Sequence, residues 1–328
     1  MKDYDVILAS GAEHLRERFR DLGFRVFSSD WNYDGRRLFP NTDLYARIAE
    51  VHKLSNRKVI VFQSCTGAGP AEQEPRTTSD RLVELFLILD ILRAPVDVEK
   101  TNHKEYKTTS VPPPSHVEVV LTYQPFALQD KAFLTGEASS SRWAVEEVSK
   151  ACNKVWVVNP HVSDSLDWMR KLVEKGIVEV IDVIPSLIEF AAIQFGFDDY
   201  IVVTPDEGGQ ERFNVAGFRK SRKNSFTVEL SGDVDVADRN VIIVDDLTKT
   251  GSTLIKARAR LKKMKAKNIG LAVAHTLPIM KRGEELLEKL ISKSKGRIVA
   301  TNTIYTRCFC LNNPALTYNI VDSLVKTI

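Results

Sequence analysis

The stretch Val241–Thr253, VIIVDDLTKTGST, places the tightest limit on the fold. Val241, Ile242, Ile243 and Val244 run without polar alternation, the pattern of a strand covered on both faces, as in a parallel sheet flanked by helices. Asp245 and Asp246 follow at once, so the two acids emerge at the carboxyl end of that strand, where open α/β sheets bind ligands. Thr248, Thr250, Ser252 and Thr253 then supply hydroxyls, Gly251 allows close backbone approach, and a helical pattern from Leu254 sets a helix N-terminus beside them. Carboxylates next to an anion-holding loop suit a ligand with both hydroxyls and a phosphate, and a sugar phosphate suits them better than a bare nucleotide. The plain alternative is an acidic strand end with an ordinary helix cap, and it leaves the coincidence of apolar run, paired acids and hydroxyl-rich loop unexplained.

The rest of the chain repeats the alternation of short β-rich runs and longer helical patterns. Runs at 5–9, 25–28, 59–63, 117–123 and 155–159 read as strands, with helices at 79–92 and 141–150. A second set has strands at 178–183, 201–204, 269–275 and 298–304, and helices at 186–195 and 283–292. The fold class is therefore α/β, with two similar halves, each a mainly parallel sheet flanked by helices. The expected division is 1–176 and 177–328, with the last ~20 residues able to pack back on the first domain. Between the helix ending near Arg93 and the strand at Val117, charge and the triple proline 112–114 defeat both periodicities, so this segment reads as an exposed excursion. His103 and His116 lie in or beside it without metal-ligand spacing and read as solvated loop histidines.

Composition narrows the function classes. A chain of 328 residues with 43% hydrophobic and 27% charged residues is globular, and a net charge of +3 argues for no nucleic-acid partner. No apolar run is long enough to span a membrane, and MKDYDVILAS has no signal-peptide core, so a cytoplasmic protein is expected. Cys65, Cys152, Cys308 and Cys310 are too few and too scattered for a disulfide framework, and Cys308 with Cys310 forms only a C-x-C, which reads as structural thiols.

Further segments carry possible chemistry. Phe39–Ile48, FPNTDLYARI, combines a ring, an amide and a carboxylate able to stack on and hydrogen-bond a purine, although an ordinary loop looks much the same. QPFALQDKAFLTGE at 124–137 follows a strand and lies at a sheet edge. KVWVV ends in Asn159-Pro160-His161, and a histidine there is more often a capped structural residue than a ligand. IVVTP delivers Asp206, Glu207, Gly208 and Gly209 to a strand-to-helix turn. FRKSRKN at 218–224 is a dense cationic run, by composition a solvated face or an anion patch. No GxxxxGK[ST] occurs, so an ATP site here is not a P-loop.

Taken together these segments resemble the ribose-phosphate pyrophosphokinases, while Val241–Thr253 alone resembles the phosphoribosyl-diphosphate motif shared with type I phosphoribosyltransferases. The resemblance runs from about Phe39 to the TNTI at 301–304 and the chain end, and it implies two phosphoribosyltransferase-like domains. Phe39, Asn41 and Asp43 match the FPDGELYVR stretch and take the adenine-contacting places, and Gln129, Asp130 and Lys131 match PYARQDKxFxxGE beside ATP. His161 matches the histidine of DLH, which contacts the magnesium of MgATP, and Asp206 matches the acid of SPDxGG, facing ribose 5-phosphate and its metal. Lys220 and Arg222 match part of KxRxxxN and would stabilise charge on the phosphates. Asp245, Asp246, Lys249, Thr250, Gly251, Ser252 and Thr253 form the ribose 5-phosphate cradle. Leu128 stands in the place of an arginine, Asn159 of an acid, and Lys249 of an acid or small residue. The implied reaction uses ATP, ribose 5-phosphate and Mg2+, in a homodimer or larger homo-oligomer. A catalytically weak or regulatory nucleotide-binding homologue stays open because of those three departures. A phosphoribosyltransferase stays open too, but it leaves Phe39, Gln129 and His161 without a role.

Overall fold

The computed structural model describes residues 1–67, 76–102, 105–161, 167–205, 216–217, 219–222, 228–231, 235–279 and 282–328. The described chain forms two compact units. The first comprises Met1–Pro160, Asp167–Ile181 and Leu324–Ile328, and the second His161–Leu166 and Asp182–Ser323.

The first unit holds β1 (Tyr4–Leu8), α1 (Arg16–Asp21), β2 (Val26–Ser28), β3 (Lys58–Ser64), α2 (Thr78–Arg93), β4 (Val96–Asn102), β5 (Glu105–Ser110), β6 (His116–Tyr123), α3 (Ser140–Lys150), β7 (Lys154–Val158), α4 (Asp167–Glu174) and β8 (Val178–Ile181). Six of these strands make one sheet in the order β2-β1-β3-β6-β7-β8, with every pairing parallel. The cores of β1, β3 and β6 are wholly buried, as their unbroken apolar runs require. Thr77 caps α2 in a reciprocal capping box with Asp80, which fixes where the helix leaves the loop. Within the excursion Val96–Asn102 and Glu105–Ser110 are exposed as expected, and they are β4 and β5, which pair antiparallel in a separate two-stranded ribbon.

The second unit holds α5 (Ile184–Phe195), β9 (Ile201–Thr204), β10 (Ala216–Gly217), β11 (Arg219–Arg222), β12 (Val228–Ser231), β13 (Asn240–Thr248), α6 (Ser252–Lys263), β14 (Asn268–Thr276), α7 (Gly283–Lys293), β15 (Ile298–Thr301) and β16 (Thr317–Tyr318), followed by α8 (Val321–Thr327), whose last residues belong to the first unit. Its sheet runs β10-β9-β13-β14-β15-β16, again parallel throughout. The strand β13 sits inside this sheet with both faces covered. Val241 and Ile243 pack in one core with Leu254, Ala257 and Leu261 of α6 and with Leu287 and Leu290 of α7. Ile242 and Val244 pack in the other with Ile184, Leu187 and Ala191 of α5. A strand side chain so buried contributes about 1.5–3 kcal/mol relative to exposure, which pins the register of β13 and hence the position of everything after Val244.

His116 departs from the loop reading. It opens β6, its Nε2 lies 2.9 Å from Glu118 Oε1, and its ring meets Tyr4 edge-on. Glu118 also accepts from Tyr4 Oη at 2.8 Å and from Trp156 Nε1 at 2.6 Å. Burial alone opposes ionisation of Glu118, but the Trp156, His116 and Tyr4 hydrogen bonds outweigh it and hold its carboxyl below the ordinary value. A depressed folded pKa contributes stability above the unfolded value of about 4.3, and that contribution is lost as pH falls through the folded pKa. Glu118→Gln is accordingly expected to cost about 1–3 kcal/mol near neutral pH, with the difference from wild type shrinking under acid. Urea unfolding at neutral and acidic pH checks this, and a difference that does not change with pH would show that the charge contributes nothing.

Candidate functional site

The order of the second sheet fixes where a ligand fits. From β9 the chain moves to β10 on one side, and it resumes at β13 on the other. The switch point therefore lies between the carboxyl ends of β9 and β13, where open α/β sheets form a crevice. Asp206 follows β9 within 206–215 and lies outside the described residues.

From β13 come Asp245 and Asp246, with 8% and 3% exposure. Strand geometry points successive side chains to opposite faces, so the two carboxylates diverge rather than act as one bidentate unit. Asp245 Oδ1 accepts the N–H of Asp246 at 3.1 Å. Asp246 Oδ2 lies 2.6 Å from His161 Nδ1. His161 belongs to this second unit, and its side chain is 31% exposed. Two candidates 85 positions apart are thus brought into direct contact. Asn159, two residues earlier, is buried with φ of +36°, a left-handed position that asparagine tolerates better than most residues.

The loop beyond the acids is shaped by its own side chains. Thr248 Oγ1 accepts the Gly251 N–H at 3.0 Å, and Thr248 O accepts the Leu277 N–H at 2.8 Å. Thr250 Oγ1 lies 3.2 Å from Ser252 Oγ. Lys249, Thr250 and Ser252 are exposed and Thr253 is half-buried. Gly251 has φ of +69° and caps α6, so the helix's first N–H groups open toward Lys249–Gly251. A Cβ on Gly251 would lie 2.4 Å from Leu290 Cδ1, so the glycine answers a packing demand from α7 as well as a backbone one. Neither the structural use of Thr248 nor Leu290 was signalled by the sequence, since a hydroxyl in this loop and a leucine on an amphipathic helix have commoner explanations.

The candidates outside this loop are placed as follows. Phe39–Asp43 forms a tight turn in which Phe39 is half-buried and 40–43 are exposed: Leu38 bridges Leu44, Asp43 O accepts the Phe39 N–H at 2.9 Å, and Asn41 Nδ2 donates to Asp43 Oδ2 at 2.6 Å. Thr42, in the place of the glycine in the resembled stretch, keeps φ of +71°, a strained value for a β-branched residue. Phe39 packs edge-on to Tyr45. Below the turn, buried Arg37 is held by Glu13, by the Ser29 carbonyl at 2.8 Å and by the Trp31 ring at 4.4 Å. Gln129 accepts from Ser140 Oγ at 2.7 Å, and the Asp130 carbonyl accepts from Ser139 Oγ at 2.8 Å and Trp168 Nε1 at 3.2 Å. Lys220 and Arg222 lie on β11, opposite Leu230 and Val228 of β12. The described part of the cationic run, 219–222, is therefore one strand of a two-stranded ribbon.

The first unit has a corresponding crossover between β1 and β3, but there the crevice is filled. Ser10 donates through Oγ to Glu84, its N–H reaches Glu84 Oε1 at 3.2 Å, and Arg81 donates to Ser10 Oγ. Gln63 accepts the Gly11 N–H at 3.0 Å and donates to Glu84 Oε2 at 3.1 Å. Ser10, Gln63, Arg81 and Glu84 are all within 1% of full burial, so internal partners occupy the crossover of the first unit.

Magnesium prefers oxygen ligands and is held by one or two carboxylates together with substrate phosphates. Asp245 and Asp246 suit that role, whereas no group of three or more His, Cys, Asp or Glu among the described residues could hold a metal by itself. The donor set thus fits a magnesium ion that arrives with phosphates. Among the described residues, burial pushes the thiols of Cys152 and Cys308 up to about 12 and of Cys310 up to about 11, so none serves as a thiolate near neutral pH.

Residues 211–303 match the phosphoribosyl transferase domain. Ribose-phosphate pyrophosphokinase 2 of Archaeoglobus fulgidus is 30% identical over 276 residues, covering 81% of this chain and 82% of its own length. The ribose-phosphate pyrophosphokinase of Pyrococcus furiosus is 25% identical over 313 residues, covering 92% and 94%. A crystal structure of phosphoribosylpyrophosphate synthetase from Mycobacterium smegmatis shares the fold, with a TM-score of 0.69 at 20% identity over 98% of this chain and 97% of that one.

Gly251→Ala is expected to destabilise the protein by about 2–4 kcal/mol, from the positive φ and the overlap with Leu290. Adding Leu290→Ala should recover part of that cost, giving a coupling of about 1 kcal/mol or more in a double-mutant cycle. Strictly additive costs in urea unfolding would show that the packing demand from α7 is not real.

Proposed function

The chain belongs to the ribose-phosphate pyrophosphokinase family, and we propose that it transfers the β,γ-diphosphoryl group of ATP to the 1-hydroxyl of D-ribose 5-phosphate, giving 5-phospho-α-D-ribose 1-diphosphate and AMP. The observation that carries this reading is the pairing of an anion-holding loop, Thr248–Thr253 at the start of α6, with two buried acids at a sheet switch point. A phosphorylated sugar uses both halves of such a site: N–H groups and hydroxyls of Thr250, Gly251, Ser252 and Thr253 take the 5-phosphate, while Asp245 and Asp246 take ribose hydroxyls. Lys249 adds a cation at the mouth of the loop, and Asp206 adds a carboxylate from the neighbouring strand end.

Phe39 stacks on adenine, with Asn41 and Asp43 hydrogen-bonding its edge, and Gln129 and Asp130 line the nucleotide. Lys220 and Arg222 neutralise charge on the phosphates as the sugar hydroxyl attacks the β-phosphorus and AMP leaves in line. Such a transfer depends on positioning and charge neutralisation and needs no side-chain nucleophile. Magnesium, when bound, neutralises phosphate charge, and Asp206 and His161 are the residues that would hold it, with the His161 ring oriented by its hydrogen bond to Asp246. In a homodimer or larger assembly the Phe39–Asp43 turn, exposed at 40–43, is available to a neighbouring copy. The expected location is the cytoplasm, in nucleotide biosynthesis.

One observation favours a second reading, a nucleotide-binding homologue with little turnover. Leu128 stands where the resemblance expects an arginine, and its apolar side chain is 46% exposed.

AMP release that requires ribose 5-phosphate, measured in a coupled assay, is the expected result. ATP hydrolysis indifferent to the sugar, or binding without turnover, would reject the diphosphokinase reading in favour of the second. Lys220→Ala is expected to lower kcat by about 10²-fold or more, the scale for losing one charge-stabilising group, with little change in ribose 5-phosphate affinity. Equal losses in both would make Lys220 an anion-binding residue only.

A further inference from the structure

The segment 29–49 follows β2 and contains one isolated bridge, Leu38–Leu44, with no helix or strand of its own among the described residues. Irregular segments of this length are uncommon in compact domains and are usually functional or disordered, and this one is tied down. Arg47 O accepts the Asp30 N–H and Asp30 Oδ2 accepts the Ala49 N–H, each at 2.8 Å, so its two ends are joined. Asn32 Oδ1 folds its first half by accepting the N–H groups of Asp34 at 2.9 Å and Arg36 at 3.0 Å. Arg37 comes next and is 1% exposed.

An arginine is buried to that degree only where its guanidinium is satisfied. Nη1 donates to Glu13 Oε2 at 3.3 Å, and Nη2 donates both to Glu13 Oε1 and, at 2.8 Å, to the Ser29 carbonyl. The guanidinium also lies over the Trp31 ring, 4.4 Å from its centroid. Glu13 stands on the turn Ser10–Leu15 directly after β1, so the fork fastens the segment to a strand inside the sheet. The Arg37 backbone carries the hold upward: its carbonyl accepts the Tyr45 N–H at 2.9 Å, next to the Leu38–Leu44 bridge that closes the turn Phe39–Asp43.

That turn needs a fixed base. Thr42 has φ of +71°, a region that β-branched residues rarely enter and keep only where the surroundings over-determine them. Phe39 O accepts the Thr42 N–H at 2.8 Å, and Asn41 and Asp43 hold each other, but 40–43 are all exposed. Hydrogen bonds open to water add little net stability, so the rigid part of the arrangement is Arg37 beneath them.

We propose that Arg37 is a positioning residue for the nucleotide: its anchorage to Glu13, Ser29 and Trp31 keeps the strained Phe39–Asp43 turn in the shape that meets adenine. The proposal rests on the adenine role of that turn. With the anchor loosened, Thr42 relaxes toward negative φ, the competent shape becomes a minor state, and apparent ATP affinity falls with its population.

The test measures binding of ATP and, separately, of ribose 5-phosphate to the full chain by calorimetry, beside a thermal melt of each variant. Arg37→Met is expected to weaken ATP binding about tenfold or more, while ribose 5-phosphate binding changes less than about twofold. Because Arg37→Met takes a buried partner from Glu13, Arg37→Met combined with Glu13→Gln is measured as well and should show the same split. Thr42→Gly, which removes the steric objection to positive φ, should recover about threefold or more of the lost ATP affinity in either background. Unchanged ATP affinity in both Arg37 backgrounds, equal losses for the two substrates, or no recovery with Thr42→Gly would overturn the proposal. Phe39→Ala separates the two levels. If it weakens ATP binding and the Arg37 variants do not, the adenine reading stands and the anchor falls; if it leaves ATP binding untouched, the adenine reading falls and the proposal with it.

Discussion

The two-sided burial of β13 is the constraint on which the second unit depends. Its residues alternate between two cores, one built with α6 and α7 and the other with α5. A one-residue slip would exchange the two sets and carry Asp245 and Asp246 with them. The same helices then act on the loop: Leu290 of α7 presses on Gly251, and the Leu277 N–H, just past β14, ties the Thr248 carbonyl. The loop is thus placed by apolar packing together with its own hydrogen bonds, and its hydroxyls are divided between shaping the turn and facing outward.

The two units share a parallel six-stranded plan but use their crossovers differently. In the first, Arg81 and Glu84 are buried at the β1–β3 crossover and satisfied by Ser10, Gln63 and each other. Buried charges persist only when paired and hydrogen-bonded in this way, so the crevice is closed from within. In the second, the corresponding place is bounded by a loop whose helix N–H groups point outward. A shared architecture therefore leaves the chemistry at each crossover to the residues placed there.

Much of the fold was readable in advance. The expected strands and helices outside the excursion agree with the observed ones to within a few residues, because long apolar runs and 3.6-residue periodicity report burial directly. The excursion failed that reading for a physical reason. A two-stranded ribbon exposed on both faces has no buried side to impose alternation, so Val96–Ser110 looked irregular until its backbone pairing was seen. His116 was misjudged because its partner Glu118 is a charged residue inside an otherwise apolar strand, and periodicity says nothing about which polar groups meet.

The sequence by itself determined the α/β class, the paired acids at a strand end, the hydroxyl-rich loop and the family likeness, since each rests on local order along the chain. Only the tertiary structure decided that His161 meets Asp246, that Thr248 and Leu290 shape the loop, that Asn159 occupies a left-handed turn, and that buried Ser10, Gln63, Arg81 and Glu84 fill the crossover of the first unit. These features depend on contacts between segments tens of residues apart, whose meeting is set by sheet order and helix packing and leaves no local trace in the residues that make them.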